Sequence, residues 1–162
     1  MSRDSVQAFL AAHAPDIDII DTTMSSATVA DAAAAHGVEH AQIAKTLGLW
    51  LGDEVILIVM SGSARIDNQK YRSQFGHKAR MLNAEDIVVK TGHPVGGVCP
   101  FGLPAPLRVF ADISLQSFPV IIPAAGGVQC ALKLSPQRMV ELAKAEWVDV
   151  LLIVPVNTAN VG

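Results

Sequence analysis

Two cysteines, one tyrosine and a small share of charge set the first limits on this 162-residue chain. Cys99 and Cys130 are too few for a disulfide framework and lack the spacing of a zinc site, so a reducing cytoplasm is the expected compartment. Aromatic residues make up 5% and charged residues 17%, and twelve bases against fifteen acids leave a net charge of −3. No global basic footprint results, and any nucleic-acid contact has to be local. Disorder requires low hydrophobicity with high net charge; 51% apolar residues excludes it. Long unbroken apolar runs are missing as well. The longest uncharged stretch, residues 113–132, is interrupted by Gln116, Pro119, Pro123, Gly126, Gly127 and Gln129, which favours turns and short strands over a spanning helix. The N-terminus carries Arg3 and Asp4 before an amphipathic stretch ended by Pro15, unlike a cleavable apolar leader. A soluble protein with no membrane partner is expected. Without repeats, linkers or low-complexity blocks, residues 1–162 read as one domain.

What is present is enough for a core, since a chain of this size hides roughly 70% of its unfolded surface. Helices are predicted over residues 5–13 and from Thr28 to His36, the latter with a hydroxyl cap, Asp31 three residues on, an alanine run and Gly37 as the stop. Asn68 is expected to cap a short helix holding Tyr71 and Phe75, ended by Gly76. Asn83 precedes Glu85 and Asp86, acids suited to a first turn, in a helix ending near Lys90–Gly92. Ser135-Pro136 opens the last helix. Strands are predicted at Ile17–Asp21, at 43–51 and 54–60 joined as a hairpin by Gly52-Asp53, and at Leu107–Ile113, Val120–Ile122, Val128–Leu134 and Val150–Val154. Continuous apolarity from Val55 to Met60 implies a strand covered on both faces. Strands interleaved with short helices give an α/β, α+β-like class with a mixed sheet. From Pro155 on, a loose tail is expected.

Candidate chemistry is sparse. Period two places Lys45 on a strand face with Ile43, Leu47, Leu49 and Leu51, where its ammonium either snorkels outward or meets an anion or carbonyl. Residues 91–106 carry no charge but four glycines (Gly92, Gly96, Gly97, Gly102) and four prolines (Pro94, Pro100, Pro104, Pro106). Such a loop either binds a ligand through its main chain or forms a structural Ω-loop. No Lys-Ser/Thr follows its glycines, which excludes a nucleoside-triphosphate loop. Cys99 reads as a packed thiol or, with His93 as base, as a nucleophile. Asp112, in an apolar strand, is a satisfied structural carboxylate or a catalytic one. His36 and His40 stand four apart but Gly37 breaks the helix between them, and no carboxylates cluster nearby, so no metal is expected.

Taken in order, Thr28–Gly37, Ile43-Ala44-Lys45-Thr46-Leu47, Ala64-Arg65-Ile66-Asp67-Asn68-Gln69-Lys70, the loop Gly96-Gly97-Val98-Cys99-Pro100-Phe101-Gly102, Asp112 and Ala125-Gly126-Gly127 resemble the YbaK / prolyl-tRNA editing-domain superfamily of aminoacyl-tRNA deacylases, over about residues 25–155. The resemblance implies a curved mixed β-sheet with flanking helices and a free-standing hydrolase that removes a wrong small amino acid, such as Cys, Ala or Ser, from the acceptor end of transfer RNA for proline. It matches Lys45 to the family's functional lysine and Gly96 to Pro100 to its GxxxP loop. It thereby implies Lys45 and Gly96 as catalytic residues and Gly97, Val98, Cys99, Pro100, Asp112, Gly126 and Gly127 as substrate-binding ones, with no metal or cofactor and with prolyl-tRNA synthetase as a possible partner. One departure stands out: the functional histidine that the inserted editing domain of prolyl-tRNA synthetases and its alanine-directed relatives carry in the last third is missing, since all five histidines end at His93. A non-catalytic binding module on the same fold is the alternative from a different class, and a deacylation assay separates the two.

Overall fold

The computed structural model describes residues 2–152, and the tail expected from Pro155 lies outside them. Five helices form among the described residues: α1 (Ser2–His13), α2 (Val29–His36), α3 (Asn68–Phe75), α4 (Ala84–Thr91) and α5 (Pro136–Ala143). Their ends follow the capping chemistry of the sequence. Thr28 accepts from the Asp31 amide, Asn83 from that of Asp86 and Ser135 from that of Arg138, so each satisfies an orphan first-turn donor. Asn68 is not the cap expected of it. Asp67 takes that place, its carboxylate accepting from the Gln69 and Lys70 amides, because a charged acceptor suits a helix N-terminus better than an amide.

Among the described residues seven strands form two sheets. β1 (Ile20–Asp21) pairs with β6 (Cys130–Ala131), while β5 (Ile122–Pro123), β2 (Ile43–Leu51), β3 (Glu54–Ser61), β4 (Arg108–Asp112) and β7 (Glu146–Val148) lie in that order in a curled mixed sheet. The β2–β3 hairpin turns at Gly52-Asp53 as expected. β5 joins β2 in parallel, and β4 and β7 continue parallel from β3. β3 is buried on both faces: Leu57 and Val59 enter the main core with Leu10, Phe101, Leu115 and Met139, while Ile56, Ile58 and Met60 pack with Leu49, Tyr71 and Val150. Its uninterrupted apolar run reflects that double cover.

Several predicted strands are shorter. Of Ile17–Asp21 only Ile20 and Asp21 pair, and of Val128–Leu134 only Cys130 and Ala131 form a strand. The strand expected at Val120–Ile122 sits at Ile122–Pro123. The last strand among the described residues lies at Glu146–Val148, before the predicted Val150–Val154; within the described part of that stretch, Val150 and Leu151 are buried and Leu151 makes an isolated bridge to Ile66. Apolarity here marked a core position rather than a ladder partner. No helix among the described residues is long and apolar enough to cross a membrane.

Candidate active site

The edge of strand β2 that faces away from β3 is only partly paired, and the gap in it builds the site. Even-numbered residues of β2 turn their main-chain groups away from β3: Ala44 meets Pro123 of β5, and Trp50 and Gly48 bond to Arg80 and Leu82 at 2.8 and 3.0 Å. Between these two partners lies Thr46. On the face of the strand, Ala44, Thr46 and Gly48 stand two residues apart and present little bulk, while Leu82 and Ile87 wall one side and Ile122, Ala124 and Ala131 the other. A cavity of about 370 Å³ results, closed further by Ala27, Thr28, Val95, Gly96 and Val98. That lies near the lower end of the roughly 300–1,000 Å³ typical of small-molecule sites. A Cβ on Gly48 would meet Ile87 Cδ1 at 2.8 Å, so this glycine holds the strand and α4 in close approach at the cavity wall.

Lys45 also borders this cavity. Its stem lies along the apolar face opposite Met60, as period two requires, and its Nζ donates to the Ala64 carbonyl at 2.7 Å. Of the two readings open from sequence, the ammonium has met a carbonyl. Half-burial lowers the Lys45 pKa from its ordinary value, and the positive charge of nearby Arg65 adds to that. An ammonium has three N–H donors, so two remain for an incoming oxygen.

The glycine-rich loop supplies the facing wall. Gly96 and Val98 line the cavity. Gly96 has φ +89° and passes Ala27 so closely that a Cβ would lie 3.0 Å from its main chain. Gly97 sits behind the wall against Gly127, where a Cβ would fall 2.6 Å from the Gly127 nitrogen. The Gly97 amide donates to Pro94 and its carbonyl accepts from the Gly126 amide at 2.9 Å, so loops 94–98 and 125–127 are locked together. Gly126 and Gly127 thus support the loop from behind and are not among the cavity-lining residues.

The remaining sequence candidates are placed elsewhere. Pro100 is buried. Asp112 is 1% exposed, and its carboxylate accepts from the Ser114 and Val150 amides at 2.8 Å each, capping a 3-10 turn and anchoring the chain beyond β7. Cys99 and His93 are near each other, Sγ to Nε2 3.6 Å, but both are fully buried and neither lines the cavity. Burial pushes the Cys99 thiol up to about 12, which suppresses the thiolate a nucleophile needs. His93 bridges instead: Nε2 donates to the Phe101 carbonyl and Nδ1 meets the Ser2 hydroxyl, each at 2.7 Å, tying α1 to the loop. Desolvation lowers the His93 pKa. Among the described residues no group of three His, Cys, Asp or Glu side chains is arranged to hold a metal.

Sequence reasoning attended to the odd face of β2 and missed the even one. Thr46 and Gly48, with Leu82 and Ile87 opposite, are the site residues it did not find. The alternation Ala44-x-Thr46-x-Gly48, small at every second position inside an otherwise bulky strand, was the available signal.

Comparison with known proteins identifies the family. Residues 23–142 match the family model of the aminoacyl-tRNA editing domain. The chain is 43% identical over 152 residues to the uncharacterised protein YwhH of Bacillus subtilis (strain 168), covering 93% of this chain and 97% of that protein. It is 31% identical over 113 residues to a proline–tRNA ligase of Geobacter sp. (strain M21), covering 69% of this chain and 20% of the ligase. Among solved structures, a protein provisionally assigned as a trans-editing enzyme for prolyl tRNA synthetase superposes with a TM-score of 0.86 at 28% identity, covering 93% of this chain and 97% of the other. With the family model spanning well over half of its length, this chain belongs to the aminoacyl-tRNA editing domain family.

Proposed function

We propose that the protein is a free-standing trans-editing hydrolase that cleaves the ester between a wrong small amino acid and transfer RNA for proline. The observation that carries this reading is the cavity in which Lys45 and the Gly96–Val98 wall meet beside the gap in the edge of β2. An aminoacyl ester is already activated, so orientation and carbonyl polarisation suffice without a covalent intermediate. Lys45, held by Ala64, turns a remaining N–H toward the terminal nucleotide or the ester carbonyl. The Gly96 and Val98 amides border the point where oxyanion charge develops. Water adds to the carbonyl, the acyl C–O bond breaks, and the ribose oxygen leaves with a proton, releasing the free amino acid and intact RNA. A ribose hydroxyl of the substrate activates the water, since the titratable pair nearest in sequence, Cys99 and His93, is sealed in the core. The apolar walls sort acyl groups by size, worth about 1–3 kcal/mol per methylene.

The likeness to proline–tRNA ligases supports transfer RNA for proline as the substrate and the synthetase as a partner that hands over the charged RNA. The acidic chain has to hold RNA locally. Trp50, two residues beyond the cavity-lining part of β2, carries Arg80 and Lys90 each 5.9 Å from its ring centroid, a cationic patch suited to a few phosphates. The test is release of labelled alanine, cysteine and serine from charged transfer RNA for proline by the wild-type protein. No release above the uncatalysed rate with any of the three would overturn the reading and leave a binding module on the same fold.

A further inference from the structure

Resting on the deacylase reading, we propose that Thr46 reads the α-amino group of the aminoacyl ester, so that the site selects esters of α-amino acids over those of plain carboxylic acids. The polar side chains around the cavity are few, and their commitments differ. Ser26 donates to the Val128 carbonyl at 2.9 Å, Thr28 accepts from the Asp31 amide at 3.0 Å, and Lys45 donates to Ala64. Thr46 Oγ1 is buried and has no hydrogen-bond partner. A buried hydroxyl without a partner is destabilising relative to the methyl of an isosteric valine, and valine also suits a strand better. The free protein is thus less stable for having threonine here, and a bound ligand is what gives the hydroxyl a role.

The main chain points the same way. The β2–β5 ladder stops at Ala44↔Pro123, and the bonds to Arg80 and Leu82 begin at Gly48. The alternation of the β2–β3 ladder turns the Thr46 N–H and C=O outward into the gap between these two partners. The carbonyl, together with the hydroxyl once χ1 turns it outward, therefore offers two acceptors in a cavity whose other walls are mainly apolar. An ammonium group needs such acceptors when it leaves water, whereas an acyl side chain of one or two heavy atoms is served by Ala44, Ala124, Ala131 and Ile122. Thr46 Oγ1 lies beneath the cavity surface in the free protein, and one step of χ1 between staggered wells exchanges it with the methyl and presents it to the ligand.

The experiment pairs a change in the enzyme with a change in the substrate. Wild type, Thr46→Val and Thr46→Ser are assayed on transfer RNA carrying alanyl, seryl or cysteinyl groups and on the same RNA carrying the matching acid without its amine (propionyl, 3-hydroxypropionyl, 3-mercaptopropionyl). Melting temperatures are recorded alongside. Thr46→Val is expected to lose about tenfold in kcat/KM on the amino acid esters, the worth of a hydrogen bond to a charged group, and to lose at most about twofold on the deaminated ones. Its melting temperature equals or exceeds that of wild type, and Thr46→Ser keeps the preference for the amine. Equal losses on both ester series, or no loss on the amino acid esters while wild type hydrolyses them, overturn the role of Thr46 alone. A wild type that hydrolyses no ester overturns the deacylase reading, and this inference falls with it.

Discussion

Replacing Gly97 with alanine tests how far the cavity wall depends on two main chains lying in contact. The new Cβ would stand 2.6, 2.8 and 2.9 Å from the N, Cα and C atoms of Gly127, where ordinary contact begins near 3.4 Å. All three are backbone atoms and cannot rotate away, so the 94–98 and 125–127 loops have to separate. Separation strains or breaks the 2.9 Å bond from the Gly126 amide to the Gly97 carbonyl. Overpacking of this kind costs about 1–3 kcal/mol, and the hydrogen bond adds about 1 kcal/mol. At about 2–4 °C per kcal/mol for a domain of this size, the melting temperature should fall by roughly 5–15 °C. Gly96 and Val98 move with the loop, and a displacement approaching 1 Å at the reacting centre costs about 10²-fold in rate. Differential scanning calorimetry and single-turnover deacylation measure the two effects. Gly76→Ala is the control: Gly76, unlike Gly97, has positive φ (+74°), but nothing lies within 4 Å of its would-be Cβ, so the substitution brings backbone strain without a clash; it should lose only about 1 kcal/mol and keep full activity. A Gly97→Ala protein that melts and reacts like Gly76→Ala would refute the reasoning.

Lys45→Ala should stay folded and lose about 10²–10³ in deacylation rate, and Lys45→Arg should fail to restore it, because a planar guanidinium cannot place its charge at the same point; unchanged rates in single-turnover assays would remove Lys45 from the mechanism. Cys99→Ala should hydrolyse within a few-fold of wild type, and iodoacetamide should leave the native thiol unmodified, as expected for a buried group pushed up to about 12; inactivation by alkylation would restore Cys99 as nucleophile. His93 has its pKa lowered by burial, so the unfolded chain binds the extra proton first: its share of stability is present above about pH 6.5 and is lost as pH falls below that value. Thermal melts from pH 8 to 5 should show that decline, and His93→Gln should lessen it, leaving the share of His36, whose pKa burial also lowers. Binding of uncharged transfer RNA should show a shallow salt dependence, reflecting a few phosphate contacts; a slope as steep as that of a binder with 6–10 contacts would point to a basic face elsewhere.

Much of this protein follows from local rules that the sequence states outright. Thr28, Asn83 and Ser135 cap helices because side-chain oxygens meet orphan amides within three residues, and Gly37, Gly76 and Gly92 end helices because positive φ is cheap only without a Cβ. The β2–β3 hairpin and the double burial of β3 are equally local, written in a two-residue turn and an unbroken apolar run. Lys45 and Gly96 were legible as unusual residues, one a lone cation on an apolar strand and the other part of an uncharged glycine-proline loop. What the sequence could not decide is which groups face one another across long separations. That Glu146–Val148 pairs with β4 while Val150 and Leu151 only fill core space depends on a parallel register more than thirty residues apart, and apolarity is the same in both settings. That Asp112 is spent on the Ser114 and Val150 amides, and that Cys99 and His93 are sealed beneath α1, likewise depends on packing that residue type does not encode. The cavity itself is tertiary. It exists because β5 leaves β2 at Ala44 and residues 80–82 join it only at Gly48, and a gap between two distant segments on one strand edge has no signature in either of them.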